Sequence, residues 1–166
     1  MDRVGVLVGQ AHDRYHRVCL IATRAALPML DRPALEAQTG RPVRVDYQPA
    51  DRLPRAAGVI VAPATYNTIN KWAAGIADTY PLTLLAELTG VGVPIVVLPF
   101  VNSALAANRV FTGSVDRLHE AGVRVLLGPS GVDPHPVGTG STRLDTYPWH
   151  LALDALTHLL GRGQPR

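Results

Sequence analysis

The chain reads as an α/β protein, a doubly wound, Rossmann-like parallel sheet with helices on both faces. Three observations carry that expectation. Compact runs such as Val59-Ile60-Val61 and Ile95-Val96-Val97 are continuously apolar, as strands buried on both faces require. Stretches of helical periodicity separate such runs, so strands and helices alternate along the chain. The composition, 47% hydrophobic but only 5% aromatic, describes a core of Val, Leu, Ile and Ala. With 166 residues, no internal repeat and no interdomain linker, residues 1–166 are expected to form a single domain.

The elements follow in order. Residues 18–22 form a strand, and residues 33–39 a short helix closed by Gly40. Residues 43–47 form a second strand, followed by a polar, Pro-containing connection. The Val59 strand breaks at Pro63, and a helix runs from Asn67 with Ile69, Trp72, Ala73 and Ile76 at helical spacing. Asp78 can cap a further helix through Leu82, Leu85 and Leu88 to Gly90. The Ile95 strand follows, then a helical region over residues 103–120 with a break near Thr112-Gly113. Residues 123–127 make the next strand. Residues 128–146 read as a loop rich in Gly, Pro and Ser. Thr146 and Pro148 open a last helix carrying Leu153, Leu156 and Leu160 on one face.

The first seventeen residues admit two readings. Val4-Gly5-Val6-Leu7-Val8-Gly9 resembles an opening strand with a glycine-bearing phosphate loop. Too few residues separate it from residue 18 for a parallel crossover, which takes a dozen or more. A helix over residues 2–15, with Val4, Leu7, Val8 and Ala11 on one stripe, is the favoured alternative.

Composition also limits the function classes. No apolar run approaches membrane-spanning length, and no signal-like segment opens the chain, so a cytoplasmic location is expected. The single cysteine, Cys19, lies in an apolar run and reads as a buried, inert thiol. The net charge of +3 comes from dispersed arginines, with Lys71 the only lysine, which argues against nucleic acid as a partner. His12, His16, His119, His150 and His158 show no metal-ligand spacing, so no metal is expected.

Residues 59–78, VIVAPATYNTINKWAAGIAD, are the most informative stretch. A strand entering a tight turn and then a helix N-terminus is where open α/β sheets hold ligands, because free amides point outward there. Ala62, Ala64 and Thr65 give that turn little bulk, and Asn67 and Thr68 can cap or bond locally. Pro63-Ala64-Thr65-Tyr66-Asn67-Thr68, with Lys71 and Gly75-Ile76-Ala77-Asp78, resembles the PASANT-type motif of the homo-oligomeric flavin-containing cysteine decarboxylases. That family includes phosphopantothenoylcysteine decarboxylase and the peptidyl-cysteine decarboxylases of lanthipeptide pathways. Pro99-Phe100-Val101-Asn102 is similar to its substrate-binding PxMN segment, with Val101 in place of Met. The resemblance spans roughly residues 18–128 and is more specific in the first motif than in the second.

The resemblance implies a flavodoxin-like fold, FMN as cofactor and a homo-oligomer, a trimer or a multiple of one, with FMN between subunits. Ala62, Pro63, Ala64, Thr65, Asn67 and Thr68 would face the isoalloxazine ring, and Thr23, Ala25 and Ala26 the phosphate. The family's first strand and its phosphate-contacting turn would be missing, which weakens FMN binding. Asn102 would bind a substrate carboxylate, though Leu105 and Ala106 replace the Met-Trp that often follows. The family's catalytic histidine would fall near Ala50, in Tyr47-Gln48-Pro49-Ala50-Asp51, and no histidine lies between His16 and His119. The clamp cysteine of the phosphopantothenoylcysteine branch is also absent after Cys19. His135, in the loop that corresponds to the clamp, is the candidate substitute, since histidine is the usual acid/base near neutral pH. Two expectations therefore stand. One is an FMN-binding flavoprotein of unknown reaction; the other is an active FMN-dependent decarboxylase or oxidoreductase acting on a cysteinyl or other small carboxylate substrate. Trp72, Leu82 and Leu85 are candidates for either core packing or subunit contact.

Overall fold

The computed structural model describes residues 3–14, 16–50 and 52–162. Its centre is a three-stranded parallel sheet, with β1 (Val59–Ala64), β2 (Ile95–Pro99) and β3 (Arg124–Val125) in that spatial order. β1 pairs with β2 from Val59↔Ile95 to Ala64↔Pro99, with an irregularity between Val61 and Ala64. β2 pairs with β3 through Val96↔Arg124 and Val97↔Val125. β2 is fully buried, as a continuous β-branched run in a central parallel strand should be.

Alternation along β2 divides the core into two layers. Ile95 and Val97 face one cluster with Ile69, Trp72, Leu82, Phe111, Val115 and Leu118. These come from α3 (Tyr66–Ala73), α4 (Tyr80–Gly90) and α6 (Arg109–Glu120). Val96 and Leu98 face the opposite cluster, built on Leu126, Tyr147, Trp149, Ala152 and Leu156. That layer belongs chiefly to α8 (Trp149–Arg162), which packs on β1 and β2. Gly58, at the entrance to β1, permits the approach, because a Cβ there would lie 2.7 Å from a Leu156 methyl. The fold is thus α/β, flavodoxin-like, with helices on both faces of a parallel sheet.

The N-terminal residues build a third, smaller core. Val8 of α1 (Arg3–Asp13) packs with Ala22, Val43 and Leu35, the last from α2 (Arg32–Thr39). The opening segment is therefore the helix rather than the strand; the expected ends, Asp2 and Tyr15, lie outside the described residues. Asp31 caps α2 by accepting from the Ala34 amide, and Gly40 ends it in the left-handed region at φ 66°. The Glu36 carboxylate accepts from Arg32 Nε at 2.8 Å and from the Val43 amide at 2.9 Å.

Several expectations need correction. Residues 18–22 and 43–47 do not form ladders: they meet in one parallel bridge, Ile21↔Arg44, with bonds from the Ala22 amide to the Arg44 carbonyl and from the Arg44 amide to the Leu20 carbonyl. Among the described residues no further strand pairs with either segment, so the pattern stops at one bridge. Cys19 is a half-buried free thiol there. β1 is half-buried rather than buried on both faces, because it lies at a sheet edge. The strand also continues through Pro63, across a cis Ala62–Pro63 bond, and α3 begins at Tyr66. Thr79, not Asp78, caps α4, while Asp78 pairs with Lys71 Nζ at 2.5 Å. The break in the 103–120 region falls at Ala107-Asn108, between α5 (Ser103–Ala106) and α6, because the Asn108 side chain caps a new helix. Gly113 lies inside α6. Thr146 does not cap α8; its hydroxyl donates back to the Arg143 carbonyl. Of the two alternatives for Trp72, Leu82 and Leu85, core packing is the one observed: all three are buried in the chain's own core. β3 is shorter than expected, and Leu127 instead bridges to Val132.

Candidate functional site

The turn after β1 is built as its small residues allow. Thr65, extended at φ −82° and ψ 160°, is the N-cap of α3, and its hydroxyl accepts from the Thr68 amide at 3.3 Å. The two hydroxyls lie 3.1 Å apart. The Ile69 amide returns to the Thr65 carbonyl, closing the first turn. The amides of Tyr66 and Asn67 precede the helical ladder and have no backbone partner among the described residues, as a helix N-terminus dictates. Ala64 turns into the core at 1% exposure, and its carbonyl accepts from the Phe100 amide. Ala62 and Pro63 are half-buried, and Thr65 and Asn67 are exposed. The bend is therefore unplugged and presents free donors beside small side chains. Tyr66 anchors it from behind by stacking on Phe111, with ring centroids 5.7 Å apart.

A second group of residues gathers at the C-terminal ends of β2 and β3. Asn102 and His135, far apart in sequence, are bridge partners. The His135 amide donates to the Val101 carbonyl, and the Ser103 amide donates to the His135 carbonyl. Asn102 Oδ1 caps α5 by accepting from the Leu105 amide at 2.9 Å, which leaves the Asn102 amide nitrogen as the group able to donate outward. The His135 ring lies 4.7 Å from Phe100, with Nδ1 3.0 Å from the Pro136 carbonyl. That contact suits the Nδ1–H tautomer and leaves Nε2 as an acceptor.

Residues 128–146, expected as loop, include a short helix, α7 (Gly140–Arg143), and fold back over the strand ends. Gly131 makes this possible: a Cβ there would lie 2.2 Å from the Leu126 carbonyl group. Beneath the segment is a cavity of about 330 Å³ lined by Phe100, Val132, Asp133, His135, Arg143 and Tyr147, with proline walls. Tyr147 donates its hydroxyl to the Leu98 carbonyl, and burial pushes its phenol above the ordinary range, so it stays a donor. Arg143 and Tyr147 carry no motif signal, and Phe100 stands only at the variable position of the Pro99–Asn102 segment. Only their place in the fold identifies them.

The remaining candidates are scattered. Thr23 is half-buried and Ala25 exposed, in a turn where the Ala26 amide reaches both the Thr23 hydroxyl and carbonyl. Arg24, which no sequence pattern marks, adds a cation between them, paired with Asp46 at 2.7 Å. Neither Thr23, Ala25 nor the β1 turn lines the 330 Å³ cavity or a second one of about 640 Å³ beside α4. Of the segment expected to hold a catalytic histidine, Asp51 lies outside the described residues. Among the described residues no cluster of His, Cys, Asp or Glu could hold a metal, and no helix is long and apolar enough to cross a membrane.

Comparison with known proteins bears on the fold and the family. The chain is 31% identical over 101 residues to the coenzyme A biosynthesis bifunctional protein CoaBC of Thermococcus kodakarensis, covering 56% of this chain and 25% of that protein. The chain therefore spans at most a quarter of that relative's length in common. Among solved structures, HAL3 from Cryptococcus neoformans superposes with a TM-score of 0.71 at 20% identity, over 99% of this chain and 90% of that one. The cypemycin decarboxylase CypD gives 0.69 at 19% identity, over 97% and 86%. The FMN-dependent cysteine decarboxylase SpaF gives 0.62 at 24% identity, over 95% and 91%. At these identities the structures establish a shared fold. The family model described as Flavoprotein matches residues 3–143, and so the chain belongs to the Flavoprotein family.

Proposed function

We propose that this chain is an FMN-binding flavoprotein in which the ring lies against Ala62, Pro63, Thr65, Asn67 and Thr68. The observation that carries the reading is the open bend at the end of β1, with the Tyr66 and Asn67 amides free at a helix N-terminus. The donor set fits a flavin: small side chains let a planar ring approach, and outward amides suit its carbonyl and ring-nitrogen acceptors. Thr23, with Ala25 beside it, is the counterpart for the phosphate, and Arg24, paired with Asp46, would have to exchange that partner to meet it. When bound, FMN would supply a two-electron acceptor. SpaF and CypD, which share the fold, bear names that speak of FMN-dependent or decarboxylase activity.

The bend is exposed on an edge strand and lines neither cavity, so a second copy of the chain is the natural cover for the other face of the ring. On this reading the chain assembles as a homo-oligomer, a trimer or a multiple of one. Titrating the purified chain with FMN should quench flavin fluorescence and yield a yellow protein after gel filtration; a colourless protein at saturating FMN rejects the proposal.

A second reading, an active decarboxylase or oxidoreductase, draws on the pairing of Asn102 with His135. The Asn102 amide nitrogen would hold a substrate carboxylate, and His135 Nε2 would accept a proton from the substrate. Anaerobic bleaching of bound FMN by a cysteinyl substrate, with CO₂ release, is its test. Bound flavin that stays oxidised favours the flavoprotein of unknown reaction.

A further inference from the structure

The cavity under residues 132–148 has more charge structure than a carboxylate site needs. Apart from His135 Nε2, its walls are apolar or already satisfied: Phe100, Val132 and the prolines offer no donors, and the Tyr147 hydroxyl is committed to the Leu98 and Pro99 carbonyls. The Thr146 hydroxyl is turned to the Arg143 carbonyl, and His135 Nδ1 to Pro136. Two charged side chains of opposite sign remain on the lining, Asp133 and Arg143. Both are exposed, and neither makes an ion pair with the other or with any other described residue.

We infer that this cavity binds a free, zwitterionic α-amino acid with a small apolar side chain, its ammonium facing Asp133 and its carboxylate facing Arg143. Opposite charges that share a cavity without bridging each other leave room for a bipolar ligand between them. A simple anion would gain from Arg143 but meet Asp133 unmatched, and an N-acylated amino acid has no cation to offer it. About 330 Å³ is at the lower end of small-molecule pockets, which favours one amino acid over a longer peptide. The walls of Phe100, Val132 and proline take the side chain. The inference rests on reading this cavity as the substrate site of the proposed flavoprotein, and it narrows the substrate from cysteinyl carboxylates in general to the free amino acid.

The test is calorimetric titration of the full chain, without flavin, against L-cysteine, N-acetyl-L-cysteine and cysteamine in reducing buffer. L-cysteine should bind about two- to fivefold more tightly than either analogue, the size expected for one exposed ion pair. Asp133→Asn should remove the preference over N-acetyl-L-cysteine, and Arg143→Gln the preference over cysteamine. Both positions are exposed, and unchanged thermal melts would show that each variant folds. N-acetyl-L-cysteine binding as tightly as L-cysteine overturns the inference, as does absence of binding by all three. Because flavin is left out, either outcome is separate from success or failure in the FMN titration.

Discussion

Two parts of the molecule use the same kind of sequence and reach different structures. In residues 59–162 an apolar run becomes β2, with a strand on each side and helices over both faces. In residues 16–50 comparable runs yield one bridge, Ile21↔Arg44, and a small core around Leu35 and Val43. The difference is in the neighbours. Val59 donates to the Pro94 carbonyl, so Val59 and Val61 direct their peptide groups at β2. Ile60 and Ala62 then direct theirs to the outer edge, where no strand pairs with β1 among the described residues. Strand formation in a parallel sheet is a property of the pair, and β-propensity only records how well a segment fits beside one.

The largest test of this contrast is at the two cores. Phe111 is fully buried in the sheet half and stacks on Tyr66, so Phe111→Ala should cost about 3–5 kcal/mol and lower the global urea midpoint. Leu35 is nearly as buried, at 1%, but belongs to the smaller core. Leu35→Ala should cost about 2–5 kcal/mol locally, read as faster hydrogen exchange at the Ala22 and Arg44 amides with Val97 and Leu126 unaffected. Equal acceleration in both regions would show that the two halves unfold as one unit.

Gly131→Ala comes next. The penalty expected is steric, from a Cβ 2.2 Å from the Leu126 carbonyl. A cost of about 1–3 kcal/mol or more is expected, with displacement of His135 from Asn102 visible in the histidine NMR resonances. A smaller effect is expected at the N-cap: Thr65→Ala should lose about 1 kcal/mol on thermal melting, and Thr65→Ser should recover most of it.

What could be read from sequence follows the same line. The stop of α2 at Gly40, the β2 run and the bend at residues 62–68 were legible because each depends on local chemistry: a left-handed residue, a continuous apolar run, a lack of bulk; the Asp31 cap of α2 was missed. The edge position of β1 was not legible, since burial of Val59-Ile60-Val61 depends on a partner elsewhere in space. The meeting of Asn102 with His135 was hidden for the same reason. Both residues stood out singly, but only the fold-back permitted by Gly131 makes them neighbours. Arg143 and Asp133 carried no signal because one charged residue in a loop looks like any other until a cavity gives it a direction.

The smallest expected effect bears on what holds the weaker half together. Glu36 ties α2 to Val43, and its hydrogen bond from Arg32, then that from the Val43 amide, hold its carboxyl below the ordinary 4.5. A depressed carboxylate pKa contributes stability that is present above the unfolded value and is lost as pH falls through the folded one. The Val43 amide should therefore exchange faster, relative to Val97, as pH falls below 4.5, after correction for intrinsic exchange rates. Glu36→Gln should remove most of that pH dependence while leaving Val97 unchanged. If the variant keeps the wild-type profile, the acid sensitivity belongs to another carboxylate, and the small core of residues 16–50 is held by packing around Leu35 rather than by this tie.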